Sequence, residues 1–269
     1  MSATIYRHEF FARFRSVIIW SVSLAFLIIF FFALFPAFAD QAALIKEMMV
    51  KFPPEMRAAF GLDAMDLSSV LGYYSFIFLF VQLILAIQAG NYGFGLVSIE
   101  ESELTADFLL SKPVSRTQVL VSKLLAALSS LTITNAVVWV SSITAILLFR
   151  DGRDYETRTL ILLLVSILIF QLFFLSVGLV ISLLVKRVRS ITPYGLGLGF
   201  GAYVLSAFSG VFGDVALELI TPFKHLDAAA IASEGAYDTP LVLLNLAVSL
   251  VSLAVSYWLY IRRDIPAVS

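Results

Sequence analysis

The chain of 269 residues is 60% hydrophobic and only 14% charged, whereas soluble domains carry about 25% charged residues. A soluble fold of this length would expose more polar surface than this composition supplies, so the composition predicts a membrane protein. The net charge of −1 gives no support for nucleic-acid binding, and the lack of cysteine excludes disulfides, thiolate zinc sites and cysteine nucleophiles.

Residues 1–16 interleave aromatic side chains with arginines, a pattern typical of an amphipathic helix in the membrane interface. The alternative is a simple basic flank of the first span, and we favour the interfacial helix. The apolar run that follows, residues 17–39, is longer than the roughly 7–15 residues of a signal-peptide core. We therefore expect it to be a retained transmembrane helix.

Six stretches free of Asp, Glu, Lys and Arg are long enough to span, since a helix needs roughly 20 apolar residues to cross about 30 Å of hydrocarbon. A charge at a helix centre costs about 2.5–3.5 kcal/mol, so this separation of charged from apolar segments favours spanning helices. The predicted spans are 17–39, 71–97, 124–149, 159–185, 190–213 and 239–261. We therefore expect an all-α polytopic membrane protein, with a single transmembrane domain over residues 1–269.

Two predicted outer connections carry structure of their own. In residues 40–70, apolar spacing predicts two short amphipathic helices, with a break at Pro53, a second start at Pro54 and an end at Gly61. Residues 214–238 are too apolar for a solvated linker, and too short and broken to span. This second connection therefore predicts an interfacial or re-entrant segment.

The distribution of basic residues predicts the orientation. Six spans place both termini on one side, and that side holds eleven of the 18 Lys and Arg residues. The clusters at 186–189 and 262–263 abut predicted helix ends, where basic residues count most in the positive-inside rule. We therefore predict cytoplasmic N- and C-termini in the plasma (inner) membrane.

The connection between the second and third spans carries two patterns typical of helix starts. Ser98 with Glu101, and Ser115 with Gln118, each fit a capping box, in which two side chains satisfy free backbone N–H groups. Pro113 lies between them and disfavours a helical conformation at the preceding residue. The sequence predicts a short cytoplasmic helix, a turn at Pro113 and a new helix that leads into the third span.

An apolar face on this hairpin, residues 98–123, has two interpretations. Leu104 and Phe108 are four residues apart and share a helix face, and Leu109 adds a further apolar group. A cytoplasmic partner could bury this face. A capped, solvated loop that only reconnects two spans is equally consistent with these residues, so physical chemistry alone leaves both interpretations open.

The hairpin resembles the signature of ABC type-2 exporter permeases: paired acids, a Leu-Leu, a Pro-Val-Ser-Arg and a downstream lysine. The matching residues are Glu100, Glu101, Leu109, Leu110, Pro113, Val114, Ser115, Arg116 and Lys123. The family commonly has Gly-Thr after the acids, where this chain has Glu103-Leu104-Thr105. The six-span layout is similar to the family over the whole chain.

The resemblance implies a permease that pairs with a second permease subunit, either the same chain or a paralogue. It also implies two cytoplasmic ATPase subunits that hold ATP and Mg²⁺. The hairpin would be a coupling helix seated on the ATPase, and residues 1–16 an elbow helix. The residues expected to take part in coupling are Glu100, Glu101, Leu104, Phe108, Leu109, Pro113, Ser115 and Arg116. Closure of the ATPases would push the hairpin, tilt the spans and move substrate outward.

The sequence shows no catalytic, cofactor or metal motif of its own. It has no G-x-x-x-x-G-K-[ST] motif, so ATP hydrolysis would belong to a partner. The alternating glycines of 195–201 lie inside an apolar span, where they predict close helix packing. The predicted spans hold no carboxylate, Lys, Arg or His side chain, which disfavours ion-coupled carriers and charged-ring channels.

Amide side chains at depth are candidates for lining a path used by an amphipathic or lipid-like substrate. They are Gln82, Gln88, Asn91, Asn135, Gln171 and Asn245. The alternative is hydrogen bonding between helices, worth about 0.6–2 kcal/mol each, which we favour for any single residue.

We therefore predict the permease subunit of an ATP-driven exporter that is not itself an enzyme, surrounded by membrane lipid. One alternative is a membrane scaffold or assembly factor whose hairpin docks some other protein. Another is a secondary carrier, which the uncharged spans disfavour. The residues do not specify the substrate.

Overall fold

In the computed structural model, which describes residues 1–60, 65–102, 114–185, 188, 190–212 and 215–262, six helices are long and apolar enough to cross a membrane. In chain order, the helices of these residues are α1 (Ala3–Phe32), α2 (Phe35–Asp40), α3 (Ala42–Val50), α4 (Pro54–Phe60), α5 (Val70–Ser102), α6 (Arg116–Phe149), α7 (Thr157–Leu184), α8 (Ile191–Phe212), α9 (Val215–Ile220), α10 (Pro222–His225), α11 (Ala228–Glu234) and α12 (Thr239–Arg262). The six long helices α1, α5, α6, α7, α8 and α12 correspond to the six predicted spans. The predicted all-α membrane fold is confirmed.

Residues 3–32 form one unbroken helix, so the predicted N-terminal helix is not separate from the first span, and its interfacial position stays a prediction. Between Ala3 and Phe32 the chain has neither Pro nor Gly, so nothing interrupts the helix. The helix ends at Phe32, and the chain turns at Ala33 and Leu34. The predicted first span therefore extends into a second short helix, α2, which has a proline in its first turn.

Helices α5 and α7 form the centre of the bundle and are the most buried of the six. Helix α1 packs on α6, α8 packs on α5, and α12 packs on α7. Glycine allows α5 and α7 to approach closely, because a Cβ at Gly93 would lie 2.3 Å from the carbonyl oxygen of Leu175. No side chain larger than hydrogen fits there unless the two backbones separate.

The glycine run of α8 divides between two faces of the helix. A Cβ at Gly195 or Gly199 would collide with Asn91 or Ile87 of α5, so this pair provides the predicted close packing. A Cβ at Gly197 or Gly201 would meet nothing within 4 Å. Of these four glycines, Gly195 and Gly199 therefore face α5, whereas the other two face away from the described part of the chain.

The first outer connection folds as two short helices, as predicted. Helix α3 ends at Val50, and α4 begins at Pro54 after the break at Pro53. Gly61, the predicted end of α4, lies outside the described residues.

The last outer connection folds inward as the three short helices α9, α10 and α11. The ring of Phe223 is buried, with its centroid 5.0 Å from that of Phe170 and 5.7 Å from that of Tyr203. At about 1.5 Å per residue, Phe170 lies about 20 Å along α7 from its first residue. Gln82 of α5 donates a hydrogen bond of 2.9 Å to the carbonyl oxygen of Leu226. Of the two arrangements predicted for this segment, the structure therefore has the re-entrant one.

A buried histidine fixes the turn between α10 and α11. His225 Nε2 lies 3.0 Å from the carbonyl oxygen of Leu219, and Nδ1 lies 3.4 Å from the amide nitrogen of Asn245. Because a carbonyl only accepts hydrogen bonds, Nε2 carries the proton and Nδ1 accepts from Asn245. Burial lowers the pKa of His225, which favours the neutral ring that these two contacts need.

Candidate functional site

Both ends of the described chain and the base of the hairpin meet at one end of the bundle, which we call the hairpin end. The backbone N–H of Ser2 donates to the hydroxyl of Ser122 in α6 at 2.8 Å. The guanidinium of Arg116, at the start of α6, donates to the carbonyl oxygen of Ile261 in α12 at 3.0 Å. Ser2 and Ile261 therefore lie on the same side of the bundle as the base of the hairpin, as six spans require.

The second predicted capping box is confirmed. Ser115 is the N-cap of α6, and its hydroxyl accepts a hydrogen bond of 3.2 Å from the backbone N–H of Gln118. In return, the Gln118 side chain accepts from the backbone N–H of Ser115 at 3.1 Å. The two side chains satisfy backbone groups that the first turn of a helix leaves free. The chain thus leaves the hairpin and enters α6 at a fixed residue.

The first predicted capping box, at Ser98, is wrong. Helix α5 runs through this residue to Ser102, and the buried Ser98 hydroxyl donates to the carbonyl oxygen of Phe94 one turn earlier. An N-cap needs an extended backbone, and no proline before Ser98 interrupts the helix. A serine inside a helix bonds back in this way.

The hairpin tip, residues 103–113, carries four of the eight residues predicted to take part in coupling. Leu104, Phe108, Leu109 and Pro113 lie outside the described residues. The backbones of Glu100 and Glu101 belong to the last turns of α5. The coupling role of Glu100, Glu101 and the four residues of the tip therefore stays a prediction. The structure describes the two stems of the hairpin, which are the last turns of α5 and the first turns of α6.

Arg116 ties the second stem to the end of α12. Its guanidinium lies 3.0 Å from the carbonyl oxygen of Ile261 and 3.5 Å from that of Tyr260. A cation suits the negative end of a helix, where the last carbonyl groups have no partner within the helix. The hydroxyl groups of Thr117 and Tyr257 add a second contact at 3.2 Å. A residue expected to take part in coupling thus also joins the hairpin to the last span.

A buried ionic cluster ties both stems to α1. Lys123 of α6 is only 2% exposed, and its Nζ donates to the carbonyl oxygen of Leu96 in α5 at 2.8 Å. The same Nζ lies 3.5 Å from Oε1 of Glu9, whose Oε2 lies 2.7 Å from a guanidinium nitrogen of Arg13. The cluster therefore joins α1, α5 and α6 at the hairpin end.

Glu9 and Arg13 were not predicted from the sequence as members of this site, and Lys123 was named only through the family resemblance. Two signals were available. Glu9 is the sole acid in residues 1–39, and it lies four residues before Arg13 on one helix face. Lys123 lies directly before the apolar run of the third span, where an unpaired charge would be costly.

The amides predicted as candidate path-lining residues are bound mainly to other parts of the chain. Gln82, Gln88, Asn135, Gln171 and Asn245 are buried, and Asn91 is half-buried against Gly195. Gln88 donates to the hydroxyl of Thr134 at 2.9 Å, and Asn135 donates to Gln171 at 2.8 Å. These contacts support the hydrogen-bonding interpretation for the buried amides. A path-lining role stays a prediction, and exposure favours Asn91 for it.

We expect the Asn135–Gln171 pair to contribute to stability as a unit. Replacing Gln171 with leucine leaves the Asn135 amide without that partner, and should lower the free energy of unfolding by about 1–2 kcal/mol. The Asn135→Leu, Gln171→Leu double variant should recover part of this loss, because no buried amide then remains at the contact. Thermal unfolding in detergent measures the loss of stability in the single variants and in the double variant. Strictly additive losses would contradict a coupled pair.

Metal binding finds no support in the parts of the chain that the structure describes, where no group of three or more His, Asp or Glu side chains is placed to hold an ion. The main features of the hairpin end are thus two helix stems, the Arg116 guanidinium of α6 bound to the end of α12, and the buried Lys123 ammonium between α1 and α5. This arrangement can transmit force between helices.

Comparison with known proteins identifies one match over most of the chain. A family described as "ABC-2 family transporter protein" matches residues 3–265. The matched range includes α1 to α12 and the whole hairpin. No curated protein and no solved structure matches the chain.

Proposed function

Because the chain belongs to the ABC-2 family of transporter proteins, we propose that it is the permease subunit of an ATP-driven exporter. Its six long apolar helices are the membrane part of such a machine. Energy would come from a separate ATPase subunit that docks on residues 98–123. The observation that carries this proposal is the hairpin end, where α1, α5, α6 and α12 are joined at the base of one hairpin.

The stems provide a route from the hairpin to the spans. The hairpin tip is covalently continuous with α5 and α6, and Arg116 adds α12 through the carbonyl oxygen of Ile261. A subunit that presses on the tip would therefore act on several spans together. Helices α5 and α6 also pack on α7 and α1, respectively, so the displacement reaches the centre of the bundle. Transport then follows from tilting of helices around a substrate path.

A complete transporter would contain two ATPase subunits and a second permease subunit, either another copy of this chain or a paralogue. We place the hairpin end in the cytoplasm of a cell with this chain in its plasma membrane, because ATP is hydrolysed there and basic residues are more numerous on that side. Outward transport follows from the exporter signature. An amphipathic or lipid-like molecule is the substrate class that best suits spans without charged groups.

Co-purification tests the proposal. A tagged chain extracted in mild detergent should retain a cytoplasmic protein that contains a Walker A motif, and the complex should hydrolyse ATP. Replacing the Walker A lysine of that partner should remove the hydrolysis and leave the complex intact. If the tagged chain retains only proteins without a P-loop, it is a scaffold or assembly factor and the proposal fails.

A further inference from the structure

Lys123 is a buried cation of α6 that contacts two other helices. It belongs to α6, bonds to the carbonyl oxygen of Leu96 in α5, and faces the carboxylate of Glu9 in α1. An ammonium is costly to bury unless it is paired and hydrogen-bonded. An apolar residue of similar volume would fill the same space without that cost, so packing alone does not explain a lysine here.

The Glu9–Lys123 contact is part of a seam between α1 and α6. Ser2 bonds to Ser122 at 2.8 Å, and the Tyr6 hydroxyl bonds to the hydroxyl of Ser129 at 3.0 Å. Tyr6 follows Ser2 by four residues and Glu9 follows Tyr6 by three, which places the three residues on one side of α1. The seam therefore holds the first turns of α1 against the first turns of α6, which follow directly after the hairpin tip.

The opposite face of α1 has few contacts within the chain. Arg7, Phe11 and Ala12 are exposed, as are Ile18 and Ile19 further along. Helix α1 also packs far more extensively on α6 than on α5. Its position at the hairpin end therefore depends mainly on the seam. The ionic contact of the seam also reaches α5, and one further hydrogen bond of 3.3 Å joins the Tyr92 hydroxyl of α5 to Ser16 of α1.

We propose that Glu9 and Lys123 are positioning residues that carry the movement of the docked hairpin to α1. This inference rests on the proposed function, since it needs an ATPase that moves the hairpin. When α5 and α6 move at the hairpin end, the ammonium of Lys123 moves with them. The carboxylate of Glu9 follows the ammonium, because separating the two charges leaves both buried without this partner. Helix α1 then moves with the end of α5 and the start of α6. Removing the charge of Glu9 or of Lys123 breaks the ionic contact between them.

Distance measurements between spin labels test this inference. The chain has no cysteine, so pairs can be introduced without removing native ones. In the complex with its ATPase in lipid nanodiscs, the pair Ala12→Cys and Leu184→Cys reports movement of α1 against the exposed end of α7. The pair Leu125→Cys and Leu184→Cys reports movement of the α6 stem. In the otherwise unmodified chain, ATP should shift both distances.

The Lys123→Met variant should keep the ATPase, because the Lys123 side chain is only 2% exposed and lies beneath the surface that a partner could contact. It should also keep the ATP-dependent shift of the α6 pair, and lose the shift of the α1 pair. Lys123→Arg should restore the α1 shift, because it keeps the charge and the donors. Glu9→Gln serves as a second variant if Lys123→Met does not insert. The control Lys51→Met, which changes an exposed lysine paired with Glu47 in α3, should leave both shifts unchanged.

Two results would overturn the inference and leave the proposed function intact. One is an unchanged α1 shift in both Lys123→Met and Glu9→Gln. The other is loss of the ATPase from Lys123→Met, since Lys123 would then serve docking. If ATP shifts neither label pair in the unmodified complex, or if no ATPase is retained, the proposed function fails and the inference fails with it.

Discussion

Leu104→Asp and Phe108→Asp should each abolish recovery of the ATPase with the tagged chain, while the amount of chain in the membrane stays unchanged. The spacing of these residues places them on one face of the predicted hairpin helix. Burying a carboxylate in an apolar contact without a partner costs several kcal/mol, enough to dissociate a complex of ordinary affinity. Pull-down from detergent extracts, with quantification of both chains, measures the effect.

A matched substitution separates this face from the rest of the hairpin. Ala106 lies two residues from both Leu104 and Phe108, so a helix places it on the opposite side. Ala106→Asp adds the same charge and should leave ATPase recovery unchanged. If all three variants retain the ATPase, the apolar face is not the docking surface. If all three lose it, added negative charge rather than loss of an apolar face explains the effect.

Gly93→Ala should be one of the most destabilising single-methyl changes in the bundle. The added Cβ would lie 2.3 Å from the carbonyl oxygen of Leu175 and 3.0 Å from the backbone nitrogen of Leu179. Backbone atoms cannot rotate away as a side chain can, so α5 and α7 must separate along their contact. We expect a loss of about 3 kcal/mol in the free energy of unfolding, at the upper end of overpacking costs.

Gly197→Ala provides the control, because its Cβ would meet nothing within 4 Å. Alanine in a helix interior is favoured over glycine by about 0.8–1.0 kcal/mol, so this variant should be as stable as the unmodified chain or slightly more stable. Thermal unfolding of both variants in the same detergent gives the comparison. Equal melting temperatures for Gly93→Ala and Gly197→Ala would contradict the close approach of α5 and α7.

The spans could be predicted from sequence because their signal is local. Lipid excludes unpaired charge, so each span is an uninterrupted apolar run between charged segments. The two capping boxes show where local reasoning stops. Ser115 and Gln118 cap α6 because the backbone of Ser115 is itself extended. Ser98 carries the same pattern but lies inside a helix that no residue interrupts, so it bonds to Phe94 instead.

The candidate site was harder to predict because its partners are distant in sequence. Lys123 and Glu9 come from different helices, and neither flanking sequence identifies the other residue as a partner. The same is true of Arg116, whose partners are backbone carbonyls of α12 that any residue type supplies. The sequence therefore predicted a surface for the ATPase on the hairpin, and did not predict how the stems are attached to the bundle.

The re-entrant segment also has a consequence for how the protein is made. Gln82 donates to the carbonyl oxygen of a residue 144 positions later in the chain. At about 5–20 residues per second, a ribosome needs roughly 7–30 s to synthesise that interval. A buried amide without a partner costs about 2–7 kcal/mol, so newly inserted α5 must keep Gln82 in contact with water or with an insertion factor during that time. Docking of Leu226 then expels this temporary partner, so this part of the bundle cannot mature before the re-entrant segment has been synthesised.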